Sequence, residues 1–141
     1  MRRLLFLLLA AVMTTTACDS EVIGEVDEDI AGNYDLLSID GLTLPITFVD
    51  NDSLQVEITA AEILMGLNGV FREIDTYRFT RAAGVTTQID TFTGVWQMGA
   101  NNTLSATVQT QAGPLTFPAT WNGTNTLTFD VEGLDWVWRH R

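Results

Sequence analysis

From Ala31 onward the chain is written in short apolar stretches of period two, divided by glycine and asparagine turns. Leu54, Val56, Ile58 and Ala60 alternate with Gln55, Glu57 and Thr59, which puts the first set on one face of a strand and leaves the other face wet. The same alternation runs through Leu104/Ala106/Val108, Leu115/Phe117/Ala119/Trp121 and Leu127/Phe129/Val131. Turn signals fall between the stretches: Gly66-Leu67-Asn68-Gly69, Ala83-Gly84, Gly99 to Asn102, Gln111 to Pro114, Asn122-Gly123 and Glu132-Gly133. Asn122-Gly123 is the strongest hairpin signal among them. The pattern predicts an all-β domain of roughly eight or nine antiparallel strands, with at most a helical turn or two at Ala60 to Met65. Consecutive hairpins of even length favour an up-and-down meander closed into a barrel, which leaves no sticky sheet edge. Pro118 argues against this, because proline cannot donate to a strand ladder and marks an edge or a bulge.

Aromatic residues gather on particular faces. Phe71, Glu73, Asp75, Tyr77 and Phe79 share one face of a single strand, so if the rings point inward two acids follow them. Buried carboxylates are costly unless paired or offered to a cationic ligand. A bulge between Phe71 and Tyr77 would turn Glu73 and Asp75 outward beside Arg72 and Arg78, and this is the expected arrangement. Phe92, Trp96 and Met98 share a second face, and Trp136 and Trp138 a third. These residues, with Tyr77 and Phe79, are candidates to line a site for a small apolar molecule, since a barrel of about eight strands is wide enough either to be filled or to hold one ligand. The alternative is that the same rings simply fill the interior.

The N-terminus has a different grammar. Arg2 and Arg3 precede ten apolar residues, Leu4 to Met13, a run too short for a membrane span of about 20 residues but suited to an export signal. Thr15-Thr16-Ala17-Cys18 resembles the bacterial lipoprotein box, apart from Thr15 where leucine is usual. That resemblance implies a signal peptide of residues 1–17 and a lipid on Cys18, giving a membrane anchor without a membrane span. Ordinary cleavage at the same bond would instead release a soluble secreted protein. Cys18 is the single cysteine of the chain, so the domain is expected to stand on packing alone, without an internal disulfide.

Charge narrows the partners. The 141 residues carry a formal charge of −11 with no lysine, and losing Arg2 and Arg3 takes it to −13. Nucleic acid is excluded as an expected partner, because phosphate binding needs basic patches. Six acids lie between Asp19 and Asp29, and residues 18–30 read as the anchor cysteine followed by a solvated acidic tether. They lack the spacing and the glycine of a calcium loop. Asp50-Asn51-Asp52-Ser53 reads as a turn for the same reason. No metal site, cofactor or catalytic residue is expected: the lone histidine, His140, stands next to the C-terminus, where it should fray, and no histidine-cysteine cluster exists for zinc.

Gly32-Asn33-Tyr34, the run Asp35 to Gly41, Leu44-Pro45, the mid-chain Gly94-Val95-Trp96 and the ending Trp136-Val137-Trp138-Arg139-His140-Arg141 together resemble small bacterial lipocalin-like domains, over residues 31–141. The resemblance implies a lipocalin-like barrel. It also implies a closing contact between the early aromatic residue, here Tyr34 in place of tryptophan, and a late arginine, here Arg139, through a cation on a ring face. The expected protein is a non-enzymatic lipoprotein of the bacterial cell envelope whose barrel binds a small apolar molecule. The rival is a filled scaffold that docks a protein partner.

Overall fold

Ten antiparallel strands and no helix account for the regular structure of residues 28–141, which are the residues described by the computed structural model. They are β1 (Gly32–Ile39), β2 (Leu42–Thr43), β3 (Ile46–Asn51), β4 (Leu54–Met65), β5 (Val70–Arg81), β6 (Gly84–Met98), β7 (Thr103–Thr110), β8 (Gly113–Trp121), β9 (Thr126–Val131) and β10 (Leu134–His140). From β4 to β10 each strand pairs with the next, β10 returns to β1, and β1 pairs with β4. Eight strands therefore close into an up-and-down barrel, while β2 and β3 flank it as short extra strands. The export signal, Cys18 and the tether as far as residue 27 lie outside the described residues. Ile30, the last residue assigned to the tether, is fully buried.

Alternation places the core where the sequence puts it in β7, β8 and β9: Leu104, Ala106, Val108, Ala119, Trp121, Leu127 and Phe129 are all buried. The two-residue turns also follow local chemistry. Asp40-Gly41 and Glu132-Gly133 have positive φ at both positions, the geometry that matches strand twist in a tight hairpin. In the turn before β4, the Asn51 side-chain oxygen accepts from the Ser53 and Leu54 amides at 3.0 Å. That is an Asx turn.

Four expectations need correction. Ala60 to Met65 is strand, not helix, because the whole of β4 is held in register between β5 and its other neighbours. A bulge does exist, but it lies in β4 between Ile58 and Ala60, so Ile58 and Ala61 are buried while Ala60 is exposed. The extra residue shifts the inward set by one. Finally, Arg139 does not cover Tyr34. It pairs in register with Asp35 and is exposed on the outer face, and Tyr34 is instead met edge-on by Trp121 and His140, at centroid distances of 6.2 and 4.8 Å. His140 is thus packed, not frayed.

One end of the barrel is plugged. Tyr34 donates its hydroxyl proton to the Ile30 carbonyl at 2.5 Å. The Trp96 indole N–H donates to the Gly66 carbonyl at 3.0 Å, and its backbone N–H to the Gly69 carbonyl at 2.8 Å. On the outer surface of the closing seam, Asp35 and Glu62 stand opposite each other, a like-charge pair that would repel. Arg141 bonds to both carboxylates and holds the Asp35 carboxyl below its usual range.

The other end is splayed. β6 pairs with β7 only from Gly94 to Met98, and β8 with β9 only from Ala119 to Trp121. The rest of the β7–β8 hairpin stands between its neighbours without a ladder to either. This resolves Pro118: it is paired across β7 with Ser105 but lies one residue beyond the last β8–β9 pair, a local edge where no amide is needed.

The β6–β7 seam hinges on Gly94, where an added Cβ would sit 1.9 Å from the Thr107 carbonyl oxygen and 2.9 Å from the Val108 Cα. Both are backbone atoms and cannot swing away. Gly94→Ala is expected to destabilise the barrel by roughly 2–3 kcal/mol, measured by urea denaturation, whereas Gly84→Ala, with nothing near its Cβ, should lose only the smaller amount due to its positive φ.

Candidate functional site

Because the splayed strands diverge while the inward side chains keep their alternation, the open half of the barrel is not filled. A cavity of about 170 Å³ remains. Its wall is Ile63 from β4, Phe71, Glu73, Asp75 and Tyr77 from β5, Phe92 from β6, Val108 and Thr110 from β7, Leu115 and Phe117 from β8, Phe129 and Val131 from β9, and Trp136 and Trp138 from β10. Leu115 is about half exposed at 49% and marks the rim.

The aromatic candidates divide by depth. Tyr77, Phe92, Trp136 and Trp138 line the cavity, and the two indoles of the last strand stack at 6.3 Å. Trp96 is buried at the plugged end and held there by its bonds to the β4–β5 turn. Met98 packs against the core at the same end. Phe79 lies towards the β5–β6 tip with the Arg81 guanidinium over its ring at 5.3 Å. Cavity residues that the aromatic faces alone did not single out, such as Phe117, Phe129 and Val131, were still legible in the alternation of β8 and β9.

Glu73 and Asp75 point inward, against the expectation of an outward turn. β5 runs without a bulge against β6 from Val70 to Arg81, so the parity of Phe71 and Tyr77 carries through both acids. Asp75 is 3% exposed. Its Oδ2 accepts from the Tyr77 hydroxyl at 3.1 Å, and its Oδ1 has no hydrogen-bond partner within the protein. The same holds for the buried Trp136 and Trp138 indole N–H groups. A third acid, Asp90, is the register partner of Asp75 on β6. Sequence reasoning passed over it, although its spacing from Phe92 and Trp96 puts it on their inward face.

Burial governs the protonation of this group. Glu73 is pushed up to about 8, first by desolvation and then by the Asp75 charge beside it. Asp75 rises to about 6 through burial and the Asp90 charge, against the lowering effect of the Tyr77 hydrogen bond. Tyr77 is raised as well, chiefly by burial. Burial therefore favours the proton on Glu73 more strongly than on Asp75. No histidine or cysteine and no basic side chain lines the cavity, and no group of three or more potential metal ligands exists among the described residues.

Glu73 makes stability depend on pH in a definite direction. Its folded pKa exceeds the value of about 4.5 expected when unfolded, so the folded state holds the proton more tightly and stability is lost as pH rises through about 8. Between about pH 5 and pH 9 the protein is expected to lose roughly 2 kcal/mol through this group, the full shift being reduced for its partial exposure. Glu73→Gln should flatten that slope and be the more stable form near pH 9, as read by urea denaturation across the pH range.

Comparison with known proteins adds one structural neighbour. No family model matches the chain, and no curated protein matches it. Among solved structures, a lipocalin-like protein from Bacteroides uniformis is similar to it at 16% identity and a TM-score of 0.48, covering 80% of this chain and 99% of that one.

Proposed function

We propose that this chain is a binding protein of the bacterial envelope, anchored by lipid on Cys18, whose barrel holds one small and mostly apolar molecule at its splayed end. The observation that carries this reading is the cavity itself. A filled scaffold would bury its inward rings against one another, whereas here Phe92, Phe117, Trp136 and Trp138 face a space of about 170 Å³. That is comparable with a protein cavity of about 150 Å³ that takes up benzene, so the ligand has the size of a single ring and not of a long-chain lipid. The hydroxyl and carboxylate that meet in the wall are Tyr77 and Asp75, and burial holds the tyrosine in its protonated form, which favours binding over catalysis.

The topology suits the anchor. The described chain starts at the plugged end, where the Tyr34 hydroxyl donates to the Ile30 carbonyl, so a lipid tether would join the domain at the end opposite the cavity and leave the mouth unobstructed. An acidic tether would also be repelled by anionic headgroups and keep the domain off the surface.

Two measurements test the reading. Benzyl alcohol titrated into the intact protein and followed by ligand-observed NMR is expected to bind, and Val108→Trp, which fills the cavity from β7, should abolish that binding. Intact mass from the native membrane fraction is expected to show a lipid-sized increase at Cys18 that disappears in Cys18→Ser; an unmodified mass would remove the anchor from the reading.

A further inference from the structure

We propose that the molecule this cavity takes is a small organic cation, a protonated amine on a ring-sized apolar body, with Asp75 as its counter-ion. The inference deepens the binding reading above and rests on it. It starts from a buried acceptor that nothing in the protein satisfies. Asp75 is 3% exposed, lines the cavity and uses only one of its two carboxylate oxygens, Oδ2, towards Tyr77; Oδ1 is without a partner.

An acceptor of this kind is destabilising wherever it sits, because the protein has removed it from water and given nothing back. The fold does not relieve it. The basic residues of β5 on the opposite parity, Arg72 and Arg78, face away, and Arg78 is already bonded to Glu57 at 2.7 Å. Arg81 has the inward parity but lies at the hairpin tip over Phe79. The residues flanking Asp75 on its own face, Glu73 and Tyr77, and its cross-strand partner Asp90 bring oxygen and negative charge but no cation.

Each class of occupant meets this wall differently. A neutral hydrocarbon would leave Asp75 Oδ1 without a donor. An anion would meet Asp75 and Asp90 and be repelled. An ammonium group supplies up to three donors and a positive charge, enough to bond Oδ1 and to offset the Asp75 charge, in a charge-assisted contact stronger than a neutral one. The rest of the wall suits the same ligand: Phe92, Trp136 and Trp138 line the space, aromatic rings that attract a cation and cover an apolar body. The cavity volume limits that body to about one ring and a short arm.

The test compares three probes of one shape on the intact protein by calorimetry: benzylamine, benzyl alcohol and benzoate. Benzylamine is expected to bind at least about tenfold more tightly than benzyl alcohol, with benzoate the weakest, and Asp75→Asn should bring the amine and the alcohol to within a few-fold of each other. Benzyl alcohol binding as tightly as benzylamine would overturn the cation preference while leaving the apolar binding site in place. Failure of all three probes would overturn the binding reading and this inference with it. An amine preference that survives in a folded Asp75→Asn would remove Asp75 from the role. The probe series on the unmodified protein decides the cation preference even if that variant does not fold.

Discussion

Four residue pairs, Gly32 to Asp35 against Met65 to Glu62, turn a long meander into a barrel. Everything else about the interior follows from that closure. Without it β1 and β4 would each expose an unsatisfied row of backbone groups, and the inward side chains would form one wet face of an open sheet. With it, eight strands fix a circumference, and whatever points inward is committed to a shared, poorly hydrated space. The seam is held from both sides: Tyr34 ties the chain before β1 to the interior, and Arg141 holds the two acids that face each other outside.

Closure at one end and splay at the other produce two kinds of interior from the same alternating code. Near the seam, Trp96, Met65 and Tyr34 are almost wholly buried and none of them lines the cavity. Towards the far end the β6–β7 and β8–β9 ladders stop early, the wall widens, and the inward side chains leave the cavity between them. A phenylalanine at position 92 and a tryptophan at position 96 thus have the same parity and opposite roles.

This explains which parts of the molecule the sequence disclosed. Alternation identifies the face a residue shares, so the inward sets of β7, β8 and β9, the shared face of β5 and the positions of the turns were all legible. Depth along the barrel axis was not, because it depends on how far each ladder runs, and nothing local to Trp96, Met98 or Phe79 says that they lie beyond the cavity. The β4 bulge was equally silent, since Ala60 and Ala61 are chemically alike and either can serve as the inward residue. The outward turn expected of Glu73 and Asp75 assumed that a fold avoids burying unpaired acids; the continuous β5–β6 register shows that here it does not. Asp90 was within reach of the same alternation that grouped Phe92 with Trp96.

The early end of the ladders also changes what the molecule shows to its neighbours. From Gly84 to Thr93, β6 is paired on one side only, and its outward residues include Val85 and Ile89, which are 61% and 64% exposed. A free row of amides beside an apolar surface invites another strand. Asp90, a charge on the inward face of that same edge, opposes such a visitor, and at the other opening, between β8 and β9, Pro118 has no amide to offer. A visiting strand would meet a carboxylate on one open edge and a missing donor on the other, and both add to the repulsion between copies that each carry a formal charge of −11.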